Sequence, residues 1–331
     1  MSQIDVIIPY YQKKTGILQR ALQSILAQTL PAGVSVNVIV VDDGSPSPAE
    51  MDTVKLSFAA PFKLTLVKKV NEGVAAARDD GLKQTTDKTD YIAFLDSDDF
   101  WKPDHIAKAV NALEQGYDFY FADHDRVGHH TSHFDYIGFP PPEAQAVLLS
   151  GKLWAIDKDF YFNYSLRHFT AQISTVVYRR SVKPAAAFKK HMRASGEDAL
   201  FMLEVVASAR KICFSREVGA TCGEGVNIYY STYGWNDEGH LRRNMADILA
   251  TYALRSHLKL TGDNERFMIQ RGKEVRRQFA YFTLRWFLKR RGPWSPELRA
   301  LVNADPDFPT WYPLALLQVM IMYPLGLFKP I

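Results

Sequence analysis

A chain of 331 residues, 47% of them hydrophobic, can bury a sizeable core in one large domain or two smaller ones. Its formal net charge of +4 is too small to point to nucleic acid, and two cysteines, Cys213 and Cys222, exclude a disulfide framework and show no metal-type Cys/His spacing. No apolar run reaches the ~20 residues that span a bilayer, and a strand-like run begins at Ile4 without a basic segment before it, so neither a membrane span nor a signal peptide is expected and the expected compartment is the cytoplasm.

Residues 4–8 predict a first strand, stopped by Pro9, with Tyr10 and Tyr11 at its carboxyl end. Ile17, Leu18, Ala21, Leu22, Ile25 and Leu26 then recur at helical spacing on one face. Residues 36–41 form a more continuously apolar strand that runs into Asp42-Asp-Gly-Ser45. By itself this is an ordinary turn, because Gly tolerates positive φ and Asp bonds its own backbone. Its place at a strand's carboxyl end also makes Asp42 and Asp43 candidate ligand contacts. A third strand, 63–67, leads to Asn71-Glu-Gly73 and a helix over 74–83 whose alanines allow close packing on a sheet. Arg78 on this helix is either a solvated cation or part of a site.

Residues 91–95 are a short apolar strand ending in Asp96-Ser-Asp-Asp99, followed by a helix from Pro103 to about Gln115 and another strand over 117–122. This alternation implies a parallel, doubly wound sheet, whose carboxyl edge is where such folds bind ligands. Closely spaced carboxylates repel one another and a divalent cation relieves that repulsion; oxygen-only ligands favour Mg²⁺ or Mn²⁺. An acidic surface turn is the alternative. An EF-hand loop fits poorly, since Trp101 and Ala107 stand where it needs Gly and Glu. No Gly-x-Gly-x-x-Gly or Walker loop follows any of these strands, which argues against dinucleotide and P-loop chemistry.

From 128 to about 166 the pattern weakens, and Pro140-Pro-Pro142 with several aromatics predicts an insertion or lid. A strand is expected over 170–178 and a helix over 199–207. Ser195-x-x-Asp198 matches a capping box, which would make Asp198 a helix-end residue. Between Gly223 and Asp237, glycines mix with Tyr229, Tyr230, Tyr233 and Trp235, as in an aromatic loop covering a site. Residues 240–258 and 265–291 show helical periodicity. The second stretch carries Arg271, Lys273, Arg276, Arg277, Arg285, Lys289, Arg290 and Arg291 against one acid, Glu274. Near Trp294, Trp311 and the apolar 313–328, this helix is either a binder of an anionic membrane surface or a packed helix with a solvated basic face. The expected domains are 1–225 and 226–331.

Five pieces in this order, Val6-Ile-Ile-Pro-Tyr-Tyr11, Val40-Val-Asp-Asp-Gly-Ser45, Asn71-Glu-Gly-Val-Ala-Ala-Ala-Arg78, Phe94-Leu-Asp-Ser-Asp-Asp99 and Gly196-Glu-Asp198, resemble the motifs of the inverting family 2 glycosyltransferases. The resemblance implies an α/β GT-A fold: a Rossmann-like, doubly wound, mostly parallel sheet with a C-terminal helical extension. It implies that Pro9, Tyr10, Asp42 and Asp43 hold the nucleotide base and that Arg78 lies near the base and diphosphate. Asp96 inherits a place near the ribose, Asp98 that of main metal ligand with Asp96 beside it, and Asp198 that of catalytic base. Asp99 inherits no certain role; Glu197 and Trp235 are further candidates for substrate contact. The C-terminal helices are similar to those of bacterial exopolysaccharide transferases.

The implied reaction moves a sugar from a nucleoside-diphosphate donor, most commonly a UDP-sugar, to a hydroxyl of a glycan or lipid-linked oligosaccharide. It needs Mn²⁺ or Mg²⁺ for the leaving diphosphate, a carboxylate base for the hydroxyl, and no nucleic acid partner. Two alternatives are a nucleotidyltransferase, which usually has a Gly- and Arg-rich loop where Pro9-Tyr-Tyr-Gln12 stands, and a sugar-nucleotide-binding protein with no use for Asp198.

Overall fold

The computed structural model describes residues 2–192, 195–223, 237–289 and 291–330. The chain divides into two compact units, Met1–Arg193 with Phe201–Val226, and Ala194–Leu200 with Asn227–Ile331.

The first unit begins β1 (Ser2–Tyr10), α1 (Ile17–Leu26), β2 (Val34–Asp43), α2 (Glu50–Thr53), β3 (Phe62–Lys69), α3 (Val74–Leu82) and β4 (Tyr91–Phe94). It continues through β5 (Phe100–Trp101), α4 (His105–Glu114), β6 (Phe119–Arg126), α5 (His133–Ile137), the hairpin β7 (Val147–Ser150) and β8 (Leu153–Ile156), α6 (Lys158–Ser165) and β9 (Val177–Arg179). Then come α7 (Glu197–Ser208), whose first turn groups with the second unit, and β10 (Ile212–Cys222). The strands lie in the order β3-β2-β1-β4-β9-β6-β10-β8-β7, with β5 on β10. The first four are mutually parallel, β9 runs against both β4 and β6, and β6 and β10 are parallel. β1, β2, β4 and β6 therefore all end at one edge of a doubly wound, mostly parallel sheet, as the alternation implied.

Side-chain alternation along β1 explains both layers. Ile4, Val6, Ile8 and Tyr10 face Leu18, Leu22 and Ile25 of α1 and Ile106, Val110 and Leu113 of α4. Ile7 faces the other side, with Ala75 and Ala77 of α3 and Phe201 and Val205 of α7. A strand covered on both faces reads as a continuous apolar run. The small residues of α3 let it approach closely: a Cβ on Gly81 would lie 2.4 Å from Cγ2 of Ile7.

Pro9 does not stop β1 but pairs within it, opposite Val41. Ile7 O accepts from Leu95 N, so residues 7 and 9 turn their backbone groups toward β4. β4 ends at Phe94, so the missing N–H of Pro9 falls where the ladder has already ended. The stretch 128–166 folds as α5, the edge hairpin and α6. The strand expected over 170–178 is instead a 3₁₀ turn, Ile173–Thr175, and the short β9.

The second unit consists, among the described residues, of the first turn of α7 and of α8 (Glu238–His257), α9 (Gly262–Leu288), α10 (Pro296–Asn303) and α11 (Phe308–Met322). Phe279 of α9 is fully buried and meets the rings of Trp294, Phe308, Trp311 and Tyr312. α11 buries Trp311, Ala315 and Val319 and exposes Leu314, Leu317, Met320 and Ile321 on its outer face. The basic set of α9 is divided by its contacts. Arg277 bonds Glu274 and Arg276 lies over the Trp311 ring, 5.2 Å from its centroid, while Arg271, Lys273 and Lys289 are exposed, as is Arg291 just beyond the helix. No helix among the described residues is long and apolar enough to cross a membrane.

Candidate active site

Three loops meet at the carboxyl edge of the sheet, after β1, β2 and β4. Gln12, which the sequence reading passed over, joins them. Its N–H donates to Ser45 Oγ at 2.7 Å, its carbonyl accepts from the same hydroxyl at 2.8 Å, and its buried amide donates to Ser97 Oγ at 3.1 Å. Tyr10 ends β1 at this edge, opposite Asp42, but its ring is turned inward. The period of β1 turns it into the core with no exposure, and burial pushes its phenol pKa up. The aromatic at the strand end that meets solvent is Tyr11, 38% exposed; the alternation that buried Tyr10 turns its neighbour outward.

Asp42 and Asp43 are buried, and their oxygens hold the surrounding loops. Asp42 accepts from Ser45 N at 2.8 Å and Ala49 N at 2.9 Å, closing the Asp-Asp-Gly-Ser turn. Asp43 accepts from Glu72 N at 2.9 Å and Gly73 N at 2.8 Å, which fixes the chain where it enters α3. That entry aims α3 so that Arg78 points inward. Arg78 is not a solvated cation: it is 3% exposed, and its guanidinium donates to Asp96 Oδ1 at 2.7 Å.

The acidic turn is built on that ion pair. The Asp96 side chain is 25% exposed; Oδ1 meets Arg78, and Oδ2 accepts from the Gln172 amide at 3.3 Å. Asp98 is half-buried, with its carbonyl close under Gly223, where a Cβ would lie 1.8 Å from it. Asp99 is 3% exposed and accepts from Ser174 Oγ at 2.7 Å, Gln172 Nε2 at 3.0 Å and Gly223 N at 3.0 Å. Burial, then the charges of Asp96 and Asp98, hold its carboxyl well above the usual range.

No cluster of three or more His, Cys, Asp or Glu side chains that could hold a metal is gathered among the described residues. The turn nevertheless fits Mg²⁺ or Mn²⁺ of the kind bound through one or two carboxylates and completed by substrate phosphates. Asp96 and Asp98 supply such oxygens, and two carboxylates this close repel one another, which a cation relieves.

Asp198 lies in the first turn of α7, and its Oδ1 accepts from Ala199 N at 2.7 Å. The capping box is not formed. α7 starts at Glu197 with Gly196 before it, and Ser195 Oγ is buried without a hydrogen-bond partner. Glu197 is buried, 8% exposed. Trp235 lies outside the described residues.

Residues 5–176 match the model of glycosyl transferase family 2. The chain is 32% identical over 236 residues to the succinoglycan biosynthesis protein ExoW of Rhizobium meliloti (strain 1021), covering 70% of this chain and 72% of that protein. In fold it resembles S. aureus TarS 1-349 at a TM-score of 0.60, with 16% identity over 98% of this chain and 92% of that one. It also resembles the complex of TarS 1-349 with UDP-GlcNAc at 0.58, with 18% identity over 99% and 93%. Its sheet, its helical C-terminal portion and these matches agree: the chain is a GT-A-fold enzyme and belongs to glycosyltransferase family 2.

Proposed function

We propose that this enzyme transfers a hexose from a UDP-sugar to a hydroxyl of a polysaccharide intermediate, in a metal-dependent reaction that inverts the anomeric centre. The observation that carries this reading is the Arg78–Asp96 pair, which sets a buried cation against the partly exposed acidic turn at the sheet's carboxyl edge. Support for the donor comes from the UDP-GlcNAc complex of TarS, and for the product class from the name of ExoW.

Asp96 keeps an uncommitted lone pair on each oxygen after its bonds to Arg78 and Gln172, enough to accept a ribose hydroxyl. Tyr11 offers an exposed ring for a nucleotide base at the end of β1. Mn²⁺ or Mg²⁺ at Asp98, with Asp96 beside it, would neutralise the charge that develops on the diphosphate. Asp198, in the family's Glu-Asp motif, accepts the proton of the attacking hydroxyl, and Glu197 is the alternative base. Attack on the face opposite the diphosphate turns an α-linked donor into a β-linked product.

The acceptor is a lipid-linked glycan at an anionic membrane surface. The exposed stripe of α11, and at the end of α9 the exposed Phe287 and Leu288 followed by Lys289 and Arg291, supply apolar surface and positive charge.

A panel of nucleotide-sugars incubated with the enzyme and Mn²⁺, with diphosphate release as the readout, tests the donor. Asp98→Asn should bind UDP equally weakly with Mn²⁺ and with chelator, whereas the native enzyme binds tightly only with metal. Metal-independent binding by the native enzyme would remove the metal role. Tight UDP binding without release from any donor would favour a non-catalytic binder.

A further inference from the structure

The third carboxylate of the acidic turn has a different setting from the first two. Each carboxylate oxygen carries two lone pairs. Both on Asp99 Oδ2 are engaged, by the Ser174 hydroxyl and the Gln172 amide, and Oδ1 takes the Gly223 N–H. All three partners are donors. Ser174 Oγ accepts the Asp96 N–H at 3.0 Å and gives its one proton to the Asp99 carboxylate. Gln172 cannot turn its amide over, because its Oε1 accepts from Ser174 N and its two N–H groups reach Asp96 Oδ2 and Asp99 Oδ2. The Ser174 carbonyl accepts from Trp101 Nε1 at 2.6 Å, so this one residue grips the chain on both sides of the turn.

We propose that Asp99, Gln172 and Ser174 form a brace that positions the acidic turn, and that Asp99 is a positioning residue rather than a metal ligand. The proposal rests on the donor-binding reading of Asp96 and Asp98. Gln172 is the link to that reading, since the same amide that satisfies Asp99 fixes Asp96 Oδ2 and leaves Arg78 to fix Oδ1. The second anchor is the end of β10, where the turn lies so close against Gly223 that no side chain fits. The requirement at 99 is for an acceptor only. An asparagine there would aim an N–H at one of three donors, so the near-isosteric change is a severe one.

The test compares the native enzyme with Ser174→Ala, Gln172→Ala, Asp99→Asn and the double variant Ser174→Ala/Asp99→Asn. Each is titrated calorimetrically with UDP, with Mn²⁺ and with chelator, and hydrogen exchange of segment 95–99 is followed in the free protein. A brace predicts that each single change weakens UDP binding in Mn²⁺ by ~10-fold, the scale of one charge-assisted hydrogen bond. It predicts that the double variant is no weaker than the worse single, as for residues acting as a unit. Binding stays Mn²⁺-dependent in all of them, and segment 95–99 exchanges faster. If Asp99→Asn alone loses the Mn²⁺ dependence while Ser174→Ala and Gln172→Ala bind like the native enzyme, Asp99 is a ligand and the brace is overturned. If the native enzyme does not bind UDP, the donor reading fails instead, and exchange decides: unchanged exchange of 95–99 in the three variants overturns the brace.

Discussion

At Asp198 one carboxylate has two candidate duties, and they respond differently to removal of its charge. Its bond to Ala199 N needs only an oxygen, so a helix-end duty survives Asp198→Asn with little change in rate and a small loss of stability. A base cannot survive it, and turnover should fall by about 10²-fold or more with UDP binding retained. Near-normal turnover would move the base to another carboxylate, Glu197 first. His105 makes a second residue-scale demand. It is fully buried between Trp101 and Tyr120, and burial lowers its pKa to about 3; His124, buried beside His133 and Arg126, is likewise lowered to about 3. Between that value and the ~6.5 of an unfolded histidine, the unfolded chain binds more protons, so stability is complete above ~6.5 and falls as the pH drops. By linkage each histidine withdraws about 2 kcal/mol at about pH 5. Asp99 works in the opposite direction, since its raised pKa favours the folded state on acidification. His105→Phe should therefore flatten the loss of stability between about pH 6.5 and 4, followed as urea midpoints across pH; an unaltered slope would show that His105 is not neutral in the fold.

At the scale of elements, the closest contact of the site is between a turn and a strand end. Gly223→Ala would put a methyl 1.8 Å from the Asp98 carbonyl oxygen, a backbone atom that cannot swing aside as a side chain would, so the turn must move. The expected result is a folded protein, with an unchanged far-ultraviolet circular dichroism spectrum, whose UDP affinity falls by more than ~10-fold. Native affinity would mean that the turn has room to adjust. The two partners in this contact were unequally legible in the sequence. β1, β2 and β4 were readable because burial on both faces leaves an unbroken apolar run. β10 was not: its pairing with β6 shifts register between Ser215 and Val218 and again before Ala220, and Arg216-Glu217 interrupts any two-residue period. β5 has only two residues and exists through its pairing with β10. The 3₁₀ turn at Ile173–Thr175 read as strand because Ile173 and Val176 are apolar, whereas buried hydrogen bonds of Ser174 and Thr175 decide its shape. The motifs named Arg78 and Asp96 separately, and only the fold shows that they form an ion pair. A motif names residue types, whereas the pleat decides that Tyr11 rather than Tyr10 meets solvent at the end of β1.

For the molecule as a whole, the open question is what covers the outer face of α11. A helix apolar on all sides is ordinarily buried, yet Leu314, Leu317 and Ile321 are 63%, 51% and 55% exposed. Exposed Leu325 and Leu327 extend this surface, and Lys329 follows them. Near an anionic leaflet each such cation contributes ~1 kcal/mol, and exposed charges are screened within about 10 Å at 0.1 M salt. Membrane attachment should therefore have a salt-sensitive part from Lys289, Arg291 and Lys329 and a salt-resistant part from the leucines. Removing the chain from α9 onward would be a poor test, because Phe279 and its ring partners form the core of that unit. Substitution on the exposed stripe avoids this, since Leu317 and Ile321 lie outside that buried cluster. In cosedimentation with vesicles of anionic or neutral lipid, the native enzyme should pellet with the anionic ones at low salt and be partly released at high salt. Leu317→Glu/Ile321→Glu should be released at lower salt with its circular dichroism and UDP binding intact. A native enzyme that stays in the supernatant with anionic vesicles at low salt would leave the stripe to a protein partner or a second copy, and would make a soluble acceptor the better reading.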